Sequence, residues 1–237
     1  MTVPLKRAAT VIPLLEPIDD SEPRVLLLKR SPELVFAPDF WVFPGGALEE
    51  VDFDSGPTAS KDEMVSAVFN AAVREAREES SLVLEPDRLT LYSHWITPVG
   101  SPRRYATWYC VATLNGSIEK NVIEVDCSEI IDYKWLTASE ALAACESGAI
   151  KLMPPTYVSL LEMQRCRSID RFYQLIGSRE MPRHVPKHVS PQGGIDQHDE
   201  VYILYEEDVA YHNEDLRSEG EYHRMAVKGG RYSYINT

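Results

Sequence analysis

Three glutamates, Glu75, Glu78 and Glu79, stand close together in the segment 72–82. If this segment is helical, the spacing i, i+3, i+4 places their carboxylates on neighbouring positions of one side of the helix. Like charges at these spacings destabilise an isolated helix by about 0.2–0.5 kcal/mol per pair. Carboxylate oxygens bind hard divalent cations, and a bound cation would explain why the three are together. A solvated acidic helix face is the alternative.

A glycine-rich segment, Phe43-Pro44-Gly45-Gly46, precedes the glutamates. Together the two segments resemble the Nudix box, in which a glycine and a first glutamate are followed by Arg-Glu, an apolar residue, any residue, Glu-Glu, any residue, Gly and an apolar residue. The matching positions are Gly46, Arg74, Glu75, Glu78, Glu79 and Leu82. Ser81 stands in place of the last glycine, and the segment between Gly46 and Arg74 is longer than usual.

The resemblance implies an α/β/α sandwich around a mixed sheet, and hydrolysis of a nucleoside diphosphate linked to another group, X. It also implies Mg²⁺ or Mn²⁺ held by Glu75, Glu78, Glu79 and the carbonyl of Gly45. Such an ion polarises phosphorus and generates hydroxide from bound water, so an acidic protein can bind an acidic substrate through its metal. Arg74 is expected to orient the carboxylates by charge-assisted hydrogen bonds. An ordinary surface ion pair is the alternative for this arginine.

Two parts of the expected site are left open by the sequence. Counting forward from the glycine of the box reaches Asp52, whereas counting back from the arginine reaches Ser66, and we favour Asp52 as support for the metal site. The general base is one of the box glutamates or an acid from a later loop, such as Glu124 or Glu129.

Candidate substrate-binding residues lie outside the box. Arg103 and Arg104 begin a strand-like run that is rich in aromatic residues. Two arginines can bind a phosphate while Tyr105 or Trp108 stacks on a base. The alternative is a strand whose aromatic residues are core and whose arginines cap the sheet. We expect Arg104 to be the more important arginine.

A further resemblance lies upstream of the box. Residues 28–31, Leu-Lys-Arg-Ser, and their distance from the glycines are similar to the signature that precedes the box in coenzyme A diphosphatases, a branch that also includes members with an insertion in the box. Val35 and Asp39 stand where that signature has Arg and Gly. The resemblance implies CoA or an acyl-CoA as substrate, with Arg30 as a binding residue. ADP-ribose, dinucleotide polyphosphates and a non-catalytic nucleotide-binding module remain alternatives.

The hydrophobic pattern predicts the elements that must position these residues. Residues 7–15 and 24–29 predict two paired strands joined by a turn at 18–23, and residues 41–43 predict a third strand. Ser60 and Glu63 have the form of a capping box, so a helix is expected to begin near residue 61. Its predicted core-facing residues are Val65, Phe69, Ala72, Val73 and Ala76.

Later strands are predicted at 89–97, 103–114, 130–136, 200–211 and 225–235, the last interrupted by a turn at 228–231. Thr137 and Glu140 predict a second capped helix, Pro154 a third, and residues 169–177 further helical turns. We expect a Nudix domain over 1–177, with its insertion at about 47–60, a polar connector that includes 55–57. A β-rich extension over 178–237 is expected to wall the pocket or form dimer contacts.

Composition limits the partners. The chain has 237 residues, a net charge of −13 and no basic cluster, so duplex nucleic acid would be repelled. No apolar run reaches the ~18–20 residues of a membrane span, and no secretory signal is evident. The four cysteines form no CxxC pair, which favours reduced thiols. We therefore expect a soluble cytoplasmic protein that binds a small-molecule substrate, with a homodimer as one possibility.

Overall fold

A computed structural model describes residues 3–17, 21–54, 60–191 and 200–237. Part of the predicted turn at 18–23 and the predicted connector at 55–57 lie outside these residues. The elements are β1 (Leu5–Leu15), β2 (Arg24–Arg30), β3 (Phe40–Val42), β4 (Gly45–Ala47), α1 (Lys61–Ser80), β5 (Thr90–Ile96), β6 (Arg104–Leu114), β7 (Ile130–Thr137), α2 (Ala138–Glu146), β8 (Lys151–Leu152), α3 (Pro154–Cys166), α4 (Ile169–Gly177), β9 (Arg183–His184), β10 (Lys187–Val189), β11 (Val201–Leu204), β12 (His223–Lys228) and β13 (Arg231–Asn236).

The main sheet is mixed. Its central pair is β1 and β6, which run parallel from Leu5 opposite Arg104 to Leu15 opposite Leu114. The strand order is β8-β3-β2-β1-β6-β5-β9, with β4 paired to β1 and β7 paired to β2. The predicted antiparallel pairing of β1 with β2 is confirmed, but it involves only the ends of the strands, because β2 pairs along its length with β7.

Each face of this sheet is covered by helices. Alternate residues of a strand point to opposite faces, so Ala9 and Val11 of β1 pack with the α1 side, whereas Ile12 and Leu14 pack with α2, α3 and α4. Ile203 of the C-terminal segment joins the second of these cores. The predicted fold class, an α/β/α sandwich around a mixed sheet with a β-rich C-terminal extension, is confirmed.

The helix that carries the glutamates begins and ends at residues that fix its position. Ser60 is the N-cap: its hydroxyl accepts from the N–H of Glu63, while its own N–H donates to the Glu63 carboxylate at 2.6 Å, so the predicted capping box is confirmed. The helix ends at Ser81, whose φ of 58° is left-handed. A left-handed residue at this position is most often glycine, which explains why the box has Gly where this chain has Ser.

The apolar stripe of α1 differs from the predicted one. The buried apolar residues are Ala67, Val68, Ala71, Ala72 and Ala76. Val65, Phe69 and Val73 are only half-buried. The stripe is centred on small side chains, which allow the helix to approach the sheet closely.

The C-terminal segment forms a second, antiparallel sheet in the order β10-β11-β12-β13. The predicted interrupted strand is confirmed as the hairpin β12–β13, which turns at Gly229 and Gly230 with φ of 56° and 77°. Two successive positive φ values are typical of a two-residue hairpin loop. The same segment also adds β9 to the main sheet, parallel to β5.

The strand predicted over 200–211 is wrong beyond Leu204. Asp208 is fully buried and forms an ion pair with Arg224 at 2.6 Å. Its carboxylate also accepts from the N–H groups of Ala210 and His223, and these bonds hold residues 205–211 in turns. A buried charge must be paired and hydrogen-bonded to be stable. The turns at 205–211 bring these partners to Asp208, so the chain leaves the sheet after Leu204. Among the described helices, none is long and apolar enough to cross a membrane.

Candidate active site

Gly45 and Gly46 lie so close to neighbouring atoms that neither position has room for a side chain. A Cβ on Gly45 would lie 2.4 Å from the carbonyl oxygen of Ala9, and a Cβ on Gly46 would lie 2.2 Å from Oε1 of Glu75. The N–H of Gly45 donates to Oε2 of Glu79 at 2.9 Å. The glycine strand β4 and the helix α1 therefore meet here, which brings together two segments that are separated by the insertion.

Arg74 joins most of the predicted catalytic residues. Its Nη1 donates to Glu75 at 2.9 Å and to Glu78 at 3.1 Å. Its Nε and Nη2 bind the two carboxylate oxygens of Asp52 at 3.1 and 3.0 Å, and Nη2 also donates to the carbonyl of Ala47. The hydrogen bond with Asp52 raises the pKa of Arg74 above its usual value. Arg74 therefore contacts two of the three box glutamates, and its orienting role stays a prediction.

Asp52 lies beside the box residues, whereas Ser66 does not. Asp52 is buried, and it accepts from the N–H of Glu49 in addition to the two bonds from Arg74. Ser66 is exposed, and its hydroxyl donates to the backbone of its own helix. Asp52 thus contacts the glutamates through Arg74, which it holds in place. Its contribution to a metal site would be indirect.

The box carboxylates differ in exposure, and burial raises the pKa of two of them. Burial raises the pKa of Glu79 to about 8, although the hydrogen bond from Gly45 acts in the opposite direction. Burial also raises the pKa of Glu75, against the effect of Arg74. Glu78 has 58% of its side chain exposed. Desolvated carboxylates without full charge compensation are poorly stabilised as anions, and a divalent cation would supply that compensation.

The donor set suits Mg²⁺ or Mn²⁺, because these ions prefer carboxylate and carbonyl oxygens. As the side chains stand, no three His, Cys, Asp or Glu side chains within the described ranges are spaced to hold a metal ion. The contacts account for this: Arg74 binds Glu75 and Glu78, and Glu79 is turned to the backbone of Gly45. Metal binding would require these carboxylates to change partners.

A cavity of about 990 Å³ extends from the carboxylates across the face of the main sheet that also carries α2, α3 and α4. The charged residues that line it are Arg30, Glu33, Glu49, Arg74, Glu75, Glu78, Glu79, Arg103 and Glu129. Tyr105 lines it too, and its ring lies 5.9 Å from that of Phe36. The predicted substrate residues Arg30, Arg103 and Tyr105 are therefore brought to one cavity with the box.

Arg104 and Trp108 do not line this cavity. Side chains alternate along β6, so Tyr105, Thr107 and Tyr109 face the cavity while the residues between them face α1. Arg104 instead donates to the carbonyl of Thr97 at 3.3 Å, and Trp108 stacks on His94. The structure favours Arg103 over Arg104 for ligand contact, which reverses the expectation from sequence.

Of the two candidate bases from later loops, Glu124 and Glu129, only one lies at the cavity. Glu129 lines the cavity, and its negative charge contributes to the raised pKa of Glu79. Its loop is fixed by Asp126, which accepts from the N–H groups of Glu129 and Ile130. Glu124 is exposed and does not line the cavity. Glu129 is thus the later acid that the fold places near the box.

Other lining residues were missed from the sequence. They come from the start of α3 and from the C-terminal segment: Met153, Pro154, Pro155, Thr156, Pro186, His188, Val201, Ile203, Tyr205, Val227 and Tyr232. No local pattern marks them, because their positions depend on how the second sheet packs against the first. The use of the extension as a pocket wall stays a prediction, and the lining residues that follow residue 177 are the ones that would form it.

Comparisons with known proteins agree with the fold and the box. The chain is 24% identical over 173 residues to nudix hydrolase 7 of Caenorhabditis elegans, covering 62% of this chain and 58% of the relative, so it spans little more than half of that protein. It is 24% identical to acyl-coenzyme A diphosphatase NUDT19 of Xenopus laevis, covering 90% of this chain and 80% of the relative.

Among solved structures, a NUDIX hydrolase from Alicyclobacillus acidocaldarius has a TM-score of 0.59 at 18% identity, covering 71% of this chain and 95% of that one. At this identity the likeness concerns the fold alone. The NUDIX domain model matches residues 4–154, a range that contains the glycines, α1 and Glu129. The chain therefore belongs to the NUDIX family.

Proposed function

We propose that the chain hydrolyses the pyrophosphate bond of a nucleoside diphosphate linked to a group X, with Mg²⁺ or Mn²⁺ as cofactor. The observation that carries this proposal is the meeting of Gly45 and Gly46 with the three box glutamates at one end of the cavity. Water attacks phosphorus, the bridging P–O bond breaks, and the products are a nucleoside monophosphate and phosphorylated X.

Glu75, Glu78, Glu79 and the carbonyl of Gly45 would hold the cation. When bound, the cation screens the pyrophosphate, polarises phosphorus and lowers the pKa of its water. Arg74 orients the carboxylates, since it already binds two of them.

The remaining polar residues of the cavity act on substrate and water. Arg30 and Arg103 bind phosphate oxygens, for which guanidinium groups are well suited. The Glu129 carboxylate accepts the proton of the attacking water. Tyr105, beside Phe36, offers an aromatic surface on which the base stacks.

We favour CoA or an acyl-CoA as the substrate. Arg30, which belongs to the run similar to the CoA diphosphatase signature, lines the cavity. A relative whose name is acyl-coenzyme A diphosphatase aligns with 90% of this chain. A volume of about 990 Å³ is at the upper end of the range of about 300–1,000 Å³ that is usual for ligand pockets. ADP-ribose and dinucleotide polyphosphates are the alternative substrates.

A non-catalytic nucleotide-binding module is the second candidate function. The observation that favours it is the set of bonds that Arg74 makes to Glu75 and Glu78, which leaves the carboxylates of the described chain away from metal-binding spacing.

The roles proposed for the two parts of the chain are the same for both candidate functions: residues 1–177 carry the box, and residues 178–237 wall the cavity. A homodimer formed through residues 178–237 is tested by mass in solution after truncation.

The test of the function is an assay of split products. The protein is incubated with Mg²⁺ and with CoA, acyl-CoA, ADP-ribose, NADH and diadenosine polyphosphates in turn. We expect monophosphate products from the true substrate, a large loss in Glu78→Gln, and no loss in Glu124→Gln, an exposed glutamate outside the cavity. Binding without turnover, with Glu78→Gln unchanged, would establish the binding module instead.

A further inference from the structure

The two ends of the cavity differ in charge. The lining carboxylates and guanidinium groups all precede Met153 in the chain. His188 follows it, and desolvation lowers the pKa of its ring although part of the side chain is exposed. The lining tyrosines of that part, Tyr205 and Tyr232, have pKa values raised by burial and are neutral. One end of the cavity is therefore charged and the other is apolar.

We define the apolar chamber as Val201, Ile203, Val227 and Tyr232 of the C-terminal sheet, with Trp95 and Met153 of the main domain. Strand register places the four C-terminal residues on one face: Val201 pairs with Val227, which pairs with Tyr232. The residues between them face the opposite side. Tyr202 and Leu204 pack there in a separate small core with Val189 and Tyr211.

The chamber is part of the folded core and is preformed. The hydroxyl of Tyr232 donates to the carbonyl of Leu152 at 2.7 Å, and its ring meets that of Tyr157 edge-on at 5.0 Å. Ile203 is buried together with the fully buried Met225 in the core that includes α2, α3 and α4. A ligand that enters this space therefore loses little free energy to reorganisation of the protein.

From this lining we infer that X carries an uncharged, apolar chain that binds in the chamber, so that residues of the C-terminal sheet select the substrate. This inference rests on the proposed function, because it assumes that the pyrophosphate lies at the charged end. A charged X would be desolvated in the chamber without a partner of opposite charge. An apolar chain gains affinity there from every buried methylene.

The test uses ADP esters whose terminal phosphate carries a straight alkyl chain of two, four, six, eight or ten carbons. We expect kcat/KM to rise by about fourfold for each methylene that enters the chamber, until the chamber is full. A rate that does not depend on chain length overturns the inference. Dissociation constants measured by calorimetry on the same esters give a second readout of the same dependence.

Two neighbouring residues of β11 form a matched pair of variants. Val201→Trp fills the chamber, so we expect kcat/KM for the octyl ester to fall at least tenfold while the ethyl ester changes less than twofold. Tyr202→Trp adds bulk on the opposite face of the same strand and should leave both esters unchanged. Equal losses for both esters in Val201→Trp, or equal effects of the two variants, contradict the inference.

A milder variant covers the case in which Val201→Trp folds poorly. Val227→Thr replaces a methyl group with a hydroxyl of similar size. It should therefore lower kcat/KM for the octyl ester severalfold and leave kcat/KM for the ethyl ester unchanged. Failure of the proposed function has a different signature: no ester is hydrolysed at any chain length. The calorimetric series would then still test the chamber. Affinity that rises with chain length supports the inference, and affinity that does not change with chain length contradicts it.

Discussion

The charged end of the cavity and the apolar chamber are built in different ways. At the charged end, Gly45 donates to Glu79 at 2.9 Å, and Arg74 binds Asp52, Glu75, Glu78 and the carbonyl of Ala47 at 2.9–3.1 Å. The chamber has no such polar set, and it depends on the pairing of β11, β12 and β13 and on their packing against α3. The first is fixed by side-chain identity, whereas the second is fixed by shape and register.

Because of this difference, we expect mutations in the two regions to have different effects. At the charged end, a small displacement of a carboxylate changes chemistry without unfolding the chain, because the groups lie at the cavity surface. In the C-terminal sheet, the buried ion pair of Asp208 and Arg224 lies on the face opposite the chamber and supports the sheet, so its loss changes stability. The predictions below test that separation, from the largest expected effect to the smallest.

Asp208→Asn should destabilise the protein by about 3–5 kcal/mol, because it leaves Arg224 buried without its counter-charge. Burial acts to raise the pKa of Asp208, but hydrogen bonds from Arg224 and from backbone N–H groups outweigh it, so the pKa is lowered. A depressed pKa stabilises the fold above the usual pKa of about 3.9. Urea denaturation should show the difference between wild type and variant at pH 7, and should show it shrinking as pH falls through the folded pKa.

The same variant has a control on the chemistry. If the ion pair of Asp208 and Arg224 acts on stability alone, kcat per folded molecule for a short substrate should match wild type. A variant that is stable but catalytically impaired would contradict the separation of the two regions.

Gly46→Ala should mainly lower kcat, whereas Gly45→Ala should mainly lower stability. A methyl group on Gly46 meets the mobile end of Glu75, so we expect about a 100-fold loss of kcat from a displaced carboxylate. A methyl group on Gly45 meets the backbone of Ala9 and Thr10, so we expect a loss of about 1–3 kcal/mol in stability. Gly177→Ala, which meets nothing within 4 Å, is the control. Kinetics and thermal unfolding of the three variants distinguish these outcomes.

Arg74→Lys should lower kcat by about 10- to 100-fold, as expected for a residue that orients metal ligands. Lysine keeps the charge but cannot bind both oxygens of Asp52 while also reaching Glu75 and Glu78. The measurement is kcat together with the Mg²⁺ concentration for half-maximal activity, which should rise. Unchanged activation by Mg²⁺ would show that Arg74 is only structural.

Arg103→Ala should raise KM by about five- to tenfold through the loss of a charge-assisted hydrogen bond to phosphate. Arg104→Ala is the matched control, because Arg104 binds the carbonyl of Thr97 and does not line the cavity. Steady-state kinetics of the two variants test whether strand parity has been assigned correctly. A larger effect at Arg104 would reverse the assignment.

Ser81→Gly should stabilise the protein by about 0.5–1 kcal/mol. Ser81 ends α1 in a left-handed conformation with φ of 58°, which glycine adopts without strain. Thermal unfolding measures the gain, and activity should not change, since Ser81 is exposed and contacts no box carboxylate. A loss of stability would mean that the serine side chain supports the helix end.

Features encoded over a few residues could be predicted from the sequence. The capping boxes at Ser60 and Thr137 are confirmed because each is a contact between residues three apart. The placing of the three glutamates on one helix was predictable, because their spacing follows from helix geometry; that they hold a metal stays a prediction. The α/β/α sandwich followed from the resemblance, and the β-rich extension followed from the strand-like runs near the C-terminus.

Features that depend on long-range pairing could not be predicted. The parallel pairing of β1 with β6 has no local signature, and it decides which face of β6 meets the ligand. A shift of one residue exchanges the two faces, so the sequence alone does not show that Arg103 rather than Arg104 lies at the cavity. Residues 205–211 were expected to continue the strand, because the ion pair that bends the chain there involves Arg224, which lies much later in the sequence.

The most direct test of the account is the pattern of kcat and KM in Glu78→Gln and Val201→Trp, measured with Mg²⁺ on the ethyl and octyl esters of ADP. The account predicts that Glu78→Gln lowers kcat by about 100-fold or more on both esters, with little change in KM. It predicts that Val201→Trp raises KM for the octyl ester alone and leaves kcat intact. Full activity in Glu78→Gln, or a loss of kcat on both esters in Val201→Trp, would contradict it.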